Sequence, residues 1–137
     1  MNIDMAEPNS LPTKFQELEP FVEEWSFDTE NKRTTKRWAA TADDFQKFYD
    51  AMVPRIEEIL AYLDDYPIDD LPDEVLPLFH LSLALAEVAP HVEFYKGAAK
   101  VPFSFDARRM IATRGDAPDP NHSLTPAELA AHKPQAP

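Results

Sequence analysis

The chain has 137 residues and a formal net charge of −12, with no cysteine and only two glycines. This length predicts one domain, and the lack of cysteine excludes disulfides, thiolate nucleophiles and thiolate metal sites. Two glycines are too few for a glycine-rich phosphate loop, and the negative charge disfavours nucleic acid and anionic membranes as partners. Nothing near the first residues resembles a secretion signal, so we expect a cytoplasmic protein.

The N-terminal part of the chain is predicted to be a flexible arm followed by the start of a helical domain. Residues 1–12 are polar and contain proline, whereas residues 13–112 carry enough apolar side chains to form a core. Apolar residues at helical spacing open this domain, and Pro20 divides them into a turn and a short helix. These core candidates are Phe15, Leu18, Val22 and Trp25.

A basic segment at residues 30–40 is predicted to form the next short helix, with Asp28 or Thr29 as its N-cap. Its four cations occupy positions i, i+1, i+4 and i+5, which places them on one side of the helix. They are Lys32, Arg33, Lys36 and Arg37. Two interpretations stay open: the cations balance an acidic loop further along the chain, or they contact an anion, a phosphate group or an acidic protein partner. Nucleic acid is not expected, since no aromatic residue interleaves the basic face.

Residues 42–64 are predicted to form one curved amphipathic helix of about five turns. Thr41 and Asp44 have the spacing of a capping box at its start. Pro54 falls opposite the apolar stripe, so it should bend the helix without breaking it. The acidic connection that follows, residues 64–74, contains six acids and two prolines, which predicts a short and rigid link.

Residues 72–95 are predicted to form a central helix around which the others are arranged. This segment is apolar on most of its circumference, which is typical of a buried helix, and its polar residues and prolines argue against a membrane span. Asp70 is the predicted N-cap, Pro90 should kink or end the helix, and Gly97 should stop it. Because two neighbouring helices cannot cover so much apolar surface, we expect a homodimer or a larger complex.

Three polar residues of the central helix, His80, Glu87 and His91, fall on one stripe at about 100° per residue. One interpretation is a solvent-exposed stripe that no neighbour covers. The other is a catalytic, ligand or metal site, in which a histidine acts as a base beside a carboxylate, or in which Glu87 and His91 share one cation. His80 is about 10 Å from Glu87 along a regular helix, so one ion cannot be bound by all three.

The C-terminal part is predicted to be extended at first and then disordered. Residues 101–112 begin with alternating apolar and polar side chains, which favours an extended segment that crosses the bundle or reaches a partner. Residues 113–137 are rich in proline, alanine and aspartate, which predicts a disordered tail. Within this tail, Thr125, Pro126 and Glu128 encode the start of a short helix that could fold on binding.

The whole sequence predicts an all-α fold, a small bundle of three to four helices with a disordered C-terminal tail. The short acidic connection favours antiparallel packing of the helices at residues 42–64 and 72–95. Standard catalytic motifs are missing, so we expect an accessory or protein-interaction protein without a cofactor, such as a subunit, an adaptor or a regulator of a larger assembly. The alternative is a small helical enzyme or ligand-binding or metal-binding protein that uses His80, Glu87 and His91.

Overall fold

The computed structural model describes residues 11–98 and 115–120. Three predictions concern residues outside these ranges. They are most of the predicted arm, the predicted extended segment 101–112 and the predicted helix start at Thr125. Leu11, near the end of the predicted arm, is buried, and its N–H donates to Glu19 Oε1 at 2.8 Å. The packed domain therefore includes Leu11, slightly before the predicted boundary.

Helices form the regular secondary structure of the described residues, which contain no β-strand. The elements are a 3-10 helix at Thr13–Phe21, α1 at Val22–Trp25, α2 at Glu30–Ala39, α3 at Ala42–Met52, a 3-10 turn at Val53–Arg55, α4 at Ile56–Leu63 and α5 at Leu76–Glu93. The predicted all-α fold is confirmed. No helix in the described ranges has the length and apolar content needed to cross a bilayer.

Side-chain caps start α2 and α3 as the sequence predicts. At the start of α2, Thr29 Oγ1 accepts a hydrogen bond from Lys32 N at 3.1 Å. At the start of α3, Thr41 Oγ1 accepts from Asp44 N at 3.1 Å, and Asp44 Oδ2 accepts from Thr41 N at 3.0 Å. The second pair is a complete capping box in which aspartate takes the position that glutamate or glutamine usually occupies.

One proline changes the helix predicted at residues 42–64. The segment is helical along its length, but it tightens into the 3-10 turn at Val53–Arg55. Pro54 has no N–H to donate to the carbonyl of Asp50, so the α-helical hydrogen-bond pattern is interrupted at this point. The predicted bend is therefore a boundary between two helices, α3 and α4, and Pro54 is exposed as expected.

The central helix is shorter than predicted at its start. α5 begins at Leu76 without a side-chain cap, so the predicted start at Pro72 with Asp70 as its cap is wrong. Pro77 is the physical reason, because in a helix that began at Pro72 it could not donate to the Asp73 carbonyl. The N–H groups in the first turn of a helix have no acceptor within the helix, so Pro77 removes no hydrogen bond from α5.

The other end of α5 is closed by Gly97. The helix ends at Glu93, shortly after Pro90, and Gly97 follows with φ +84°, a left-handed conformation. The Gly97 N–H donates to His91 O at 2.6 Å, as in a glycine-based helix stop. A Cβ on Gly97 would lie 2.5 Å from Ala42 Cβ. Glycine at this position therefore lets the start of α3 approach the end of α5.

The pair α3–α4 runs antiparallel to α5, as predicted. Near the start of α3, the Phe45 ring stacks on the His91 ring near the end of α5, with ring centroids 4.6 Å apart. At the other end of the pair, Leu60 of α4 and Phe79 of α5 line the same groove. The N-terminal helical segments and α2 pack on the remaining sides of α3 and α5.

The core lies between the N-terminal helical segments, α3–α4 and α5. Trp25 of α1 stacks on Phe48 of α3 with ring centroids 4.6 Å apart, and Phe15 meets Tyr62 edge to face at 5.5 Å. The other large buried apolar side chains include Leu18, Val22, Phe45, Met52, Ile59, Leu78, Leu81, Leu85 and Val88. All the core candidates from the N-terminal helical spacing are buried, so that prediction is confirmed.

Residues 115–120 lie against the N-terminal end of α2, although the sequence predicts disorder throughout this region. A single β-bridge joins Thr29 to Pro118, and Asn31 N donates to Gly115 O at 2.8 Å. The difference arises because composition measures the average tendency to form a core, whereas this segment is held by particular polar contacts.

Candidate functional site

The lysines of the basic helix α2 form ion pairs near the surface. Lys32 Nζ lies 3.0 Å from Asp28 Oδ1. Lys36 Nζ lies 3.8 Å from Glu24 Oε1 and 4.8 Å from the centre of the Trp25 ring. Exposed pairs of this kind contribute little to stability. The two arginines of the same helix have a different environment, because they point into a buried cluster.

Arg33 is the centre of that cluster, and only 4% of the residue is exposed. Its Nε donates to both carboxylate oxygens of Glu87, at 3.0 and 3.1 Å. Its Nη1 donates to Phe27 O at 2.9 Å, and its Nη2 donates to Asp119 Oδ2 at 2.7 Å. The guanidinium group therefore joins α2 to α5, to the loop before α2 and to segment 115–120.

Glu87 is shared between two arginines. Arg37 Nη1 donates to Glu87 Oε1 at 2.6 Å, beside the bonds from Arg33. Burial raises the pKa of Glu87 and lowers the pKa of Arg37, and the attraction between the opposite charges opposes both shifts. Removing these charges from water is costly, so we infer that the cluster fixes the geometry of α2 and α5 more than it adds stability.

The acids that pair with α2 differ from those the sequence analysis considered. They are Glu24, Asp28, Glu87 and Asp119. Within the described part of the chain, no ion pair joins α2 to the acidic connection at residues 64–74. Folding places α5 and segment 115–120 beside α2 instead. That α2 lowers the repulsion of this connection at longer range stays a prediction. Contact of α2 with an outside anion or acidic partner stays a prediction.

The two histidines of the predicted polar stripe are buried, with 7% and 6% exposure, so the solvent-exposed interpretation is wrong for them. His80 Nε2–H donates to Asp119 O, and His91 Nδ1–H donates to Ala98 O, both at 2.8 Å. A carbonyl oxygen only accepts, so these bonds assign which ring nitrogen carries the proton. Burial lowers the pKa of both His80 and His91, which favours their neutral forms.

His80, Glu87 and His91 are not brought together as one site. His80 contacts segment 115–120, Glu87 contacts the arginines of α2, and His91 contacts the turn after α5. Among residues 11–98 and 115–120, no three histidine, cysteine, aspartate or glutamate side chains are grouped so that they could hold a metal ion. The catalytic and metal roles predicted for these residues therefore stay hypotheses.

The first half of segment 115–120 is bound by one residue of α2, Asn31. Its N–H donates to Gly115 O at 2.8 Å, and its Nδ2 donates to Asp116 Oδ1 at 2.7 Å. A Cβ on Gly115 would lie 2.3 Å from Asn31 Oδ1. A side chain at this position would therefore displace the exposed amide of Asn31 and disturb its bond to Asp116.

The second half of the segment is bound through Asp119. The Asp119 N–H donates to Asp28 O at 2.6 Å. Its carboxylate accepts from Arg33, and its carbonyl accepts from His80. Both the main chain and the side chain of Asp119 are thus held by the bundle.

An apolar groove separates α3–α4 from the outer side of α5. Its volume is about 600 Å³, a size common for ligand sites. Its apolar walls include Val53, Ile56, Leu60, Phe79, Leu83 and Ala86. Tyr49 and Glu93 form a polar rim, in which Tyr49 OH donates to Glu93 Oε2 at 2.6 Å and this bond raises the pKa of Tyr49. Leu60 is half exposed, so the groove is open to solvent.

The sequence pattern indicates neither the groove nor the contacts of segment 115–120. The groove depends on how two helices are placed side by side, which the pattern of a single helix does not contain. One signal for the segment was present, because the chain has only two glycines, Gly97 and Gly115, and a Cβ would collide with a neighbour at both.

No protein-family model, curated protein or solved structure matches the chain. Its function is therefore inferred from the groove and from the contacts of α2.

Proposed function

We propose that this protein is a non-enzymatic interaction protein, which binds an amphipathic and positively charged segment of a partner protein in the groove between α3–α4 and α5. The groove carries this proposal, because it leaves apolar side chains such as Val53 and Leu60 open to solvent beside α5. A helix that lies in such a groove buries the apolar face formed by its residues at i, i+3, i+4 and i+7. This role suits an adaptor, a regulator or a subunit of a larger assembly.

The charges around the groove favour a basic partner. The chain has a net charge of −12, and Glu93 lies on the groove rim. The exposed acids Asp50 and Glu57 directly follow the groove residues Tyr49 and Ile56. Complementary charge accelerates association and selects against partners of the same sign. We therefore expect a partner segment with leucine-like residues on one face and lysine or arginine on the other.

A second copy of this chain is a less favourable occupant of the groove, although the apolar central helix predicts a homodimer or a larger complex. Each copy would carry a charge of −12, so long-range repulsion would oppose the contact. Salt screens charges, so self-association through the groove would strengthen as the ionic strength rises. Binding of a basic segment would weaken instead. The two occupants are thus distinguished by opposite salt dependence.

A designed helical peptide with leucines on one face and lysines on the other tests the proposal. The full-length protein is titrated into the fluorescein-labelled peptide at about 150 mM salt, where weak surface attraction is screened, and anisotropy is measured. Leu60→Gln removes apolar surface from the groove wall without changing the charge. We expect roughly tenfold weaker binding for this variant, because burying a leucine contributes about 1.5–3 kcal/mol.

Ile68→Gln is the matched control, since Ile68 is 59% exposed and does not line the groove. This variant should bind like the wild type, and a leucine/glutamate peptide of the same pattern should not bind. Equal loss of affinity in both variants, or no loss in either, would contradict the proposal. A dimer that strengthens with salt and dissociates on Leu60→Gln, without peptide binding, would assign the groove to a second copy.

A further inference from the structure

Segment 115–120 is held in the way that proteins bind peptides. Main-chain hydrogen bonds, a carboxylate anchor and a close approach of the Gly115 backbone to Asn31 all contribute. Sixteen residues separate Gly115 from Ala98, the last described residue of the bundle. The segment therefore reaches its site as a ligand that is covalently attached to its own receptor.

The site requires a carboxylate at the position of Asp119. Arg33 and Arg37 both hydrogen-bond to a single carboxylate of the bundle, Glu87. Asp119 supplies the second negative charge through Arg33 Nη2 at 2.7 Å. The Arg33 side chain is only 5% exposed, so water does not readily replace that carboxylate. An occupant without a carboxylate would leave this nitrogen of a buried cation without a charged partner.

Further contacts specify the residues before that carboxylate. The Asn31 amide donates to Asp116, and a side chain at Gly115 would push that amide out of place. The β-bridge between Thr29 and Pro118 aligns the main chain so that the anchor at the next residue reaches Arg33. The pattern that satisfies these contacts is Gly-Asp-x-x-Asp, where x is a position without a selective side-chain contact.

We propose that the N-terminal end of α2, together with His80, is a recognition site for an acidic peptide of another protein. The peptide has the pattern Gly-Asp-x-x-Asp, and segment 115–120 of the same chain occupies the site in its place. The site gives a concrete form to one of the two interpretations of the α2 cations, the contact with an acidic partner. It lies apart from the groove, shares no lining residue with it and does not depend on the groove proposal.

The covalent link makes segment 115–120 a strong competitor at this site. A tethered ligand has an effective concentration on the order of millimolar. A partner peptide therefore binds only if its affinity for the site is high enough to displace the tethered segment, or if it gains affinity from contacts elsewhere on the molecule. Until then, the cis segment keeps the buried guanidinium of Arg33 paired with a carboxylate.

A peptide with the sequence of residues 114–121, RGDAPDPN, tests the site in trans. Asp116→Asn with Asp119→Asn in the full-length chain weakens the cis segment, and circular dichroism checks that the fold is kept. We expect the labelled peptide to bind this variant at least tenfold more tightly than the wild type, whose own segment competes. A scrambled peptide of the same composition, DPGRNADP, should not bind. If the double variant does not fold, Asp116→Ala gives a smaller difference in the same direction, because it removes the exposed acceptor of the Asn31 amide and keeps the Asp119 anchor.

Two further substitutions in the weakened background locate the peptide. Asn31→Ala removes an exposed side chain of the site and should weaken peptide binding several-fold. Thr35→Ala changes an exposed residue of the same helix outside the site and should have no effect. Equal binding to the wild type and the weakened variant, or equal binding of the scrambled peptide, overturns the proposal. The absence of binding to a folded weakened variant also overturns the proposal, and segment 115–120 then only stabilises the fold of its own chain.

Discussion

Gly97 meets two structural requirements at once. Its φ of +84° belongs to the left-handed region, and the space where a Cβ would stand is occupied by Ala42. The preceding residue, Lys96, is also left-handed, with φ +53°, and adopts this conformation with a side chain present. The turn after α5 therefore has one position that requires glycine for space and another that only carries conformational strain.

Gly97→Ala is expected to lower the free energy of unfolding by roughly 2 kcal/mol or more. The left-handed conformation costs an alanine about 1 kcal/mol, and the new methyl would lie 2.5 Å from Ala42 Cβ. Lys96→Gly is the control, since it relieves the same kind of strain without a collision and should be neutral or slightly stabilising. Urea unfolding of both variants measures the difference. A Gly97→Ala variant as stable as the wild type would show that α3 and the end of α5 separate at little cost.

Lys32 and Arg33 show how adjacent residues of the same charge have different environments. The Lys32 side chain is 60% exposed and pairs with Asp28 at the surface. Arg33 is turned by about 100° around the helix and meets Glu87 and Asp119 inside the molecule. A guanidinium group can satisfy several acceptors at once and is thus better suited to burial than an ammonium group.

The helical elements follow local chemistry closely. α3 begins where Thr41 and Asp44 bond each other's main-chain N–H groups, and the helical path changes at Pro54. Each of these features depends on residues within one turn of each other, which is why the sequence predicts them. α5 differs because two prolines compete to start it, and Pro77 excludes the earlier start at Pro72.

Thr41→Val is expected to lower the free energy of unfolding by about 1 kcal/mol. The substitution keeps the side-chain shape but removes the oxygen that accepts from Asp44 N at 3.1 Å. Thr35→Val in the exposed middle of α2 is the control, and its effect should stay within about 0.5 kcal/mol. Thermal or urea unfolding measures both variants. If the two variants lose the same stability, the capping box does not hold the start of α3.

At the scale of the whole molecule, two buried histidines make stability depend on pH. Burial lowers the pKa of His80 and His91 below the value of about 6.5 that they have in an unfolded chain. His80 is near Asp28, Arg33 and Asp119, and these charges modify the shift without reversing its direction. Below pH 6.5 the unfolded chain therefore binds more protons than the folded one. The stabilisation from the neutral histidines is complete above about pH 6.5 and is lost as the pH falls.

We expect the free energy of unfolding to decrease between about pH 7 and pH 5, with a slope of up to about 1.4 kcal/mol per pH unit for each histidine. His80→Gln with His91→Asn keeps a donor for each carbonyl and removes the titration, so this slope should flatten. Urea unfolding across the pH range measures the slope, and NMR titration follows each imidazole. Glu87 acts in the opposite direction, because its raised pKa favours the folded state as the pH falls. A slope that is unchanged in the double variant would contradict the role of the histidines.

The candidate sites were predicted only in part. The sequence identified the cations of α2 and the polar residues His80, Glu87 and His91 as unusual. The two arginines of α2 and these three residues do form the buried polar contacts of α2 and α5, whereas the two lysines pair near the surface. It did not identify their partners. Arg33 and Asp119 are 86 residues apart, and His80 and Asp119 are 39 apart, so no periodicity relates them.

The sequence by itself determined the helical class, the N-cap of α3, the burial of the N-terminal apolar residues and the antiparallel pairing, and it narrowed the N-cap of α2 to Asp28 or Thr29. These features depend on helical periodicity, on capping within one turn and on a short connection. Only the tertiary structure decided which carboxylates pair with Arg33, that segment 115–120 lies on α2, and that a groove opens beside α5. Such contacts depend on how separate elements are placed relative to each other, and that placement is set by the packing of the whole core.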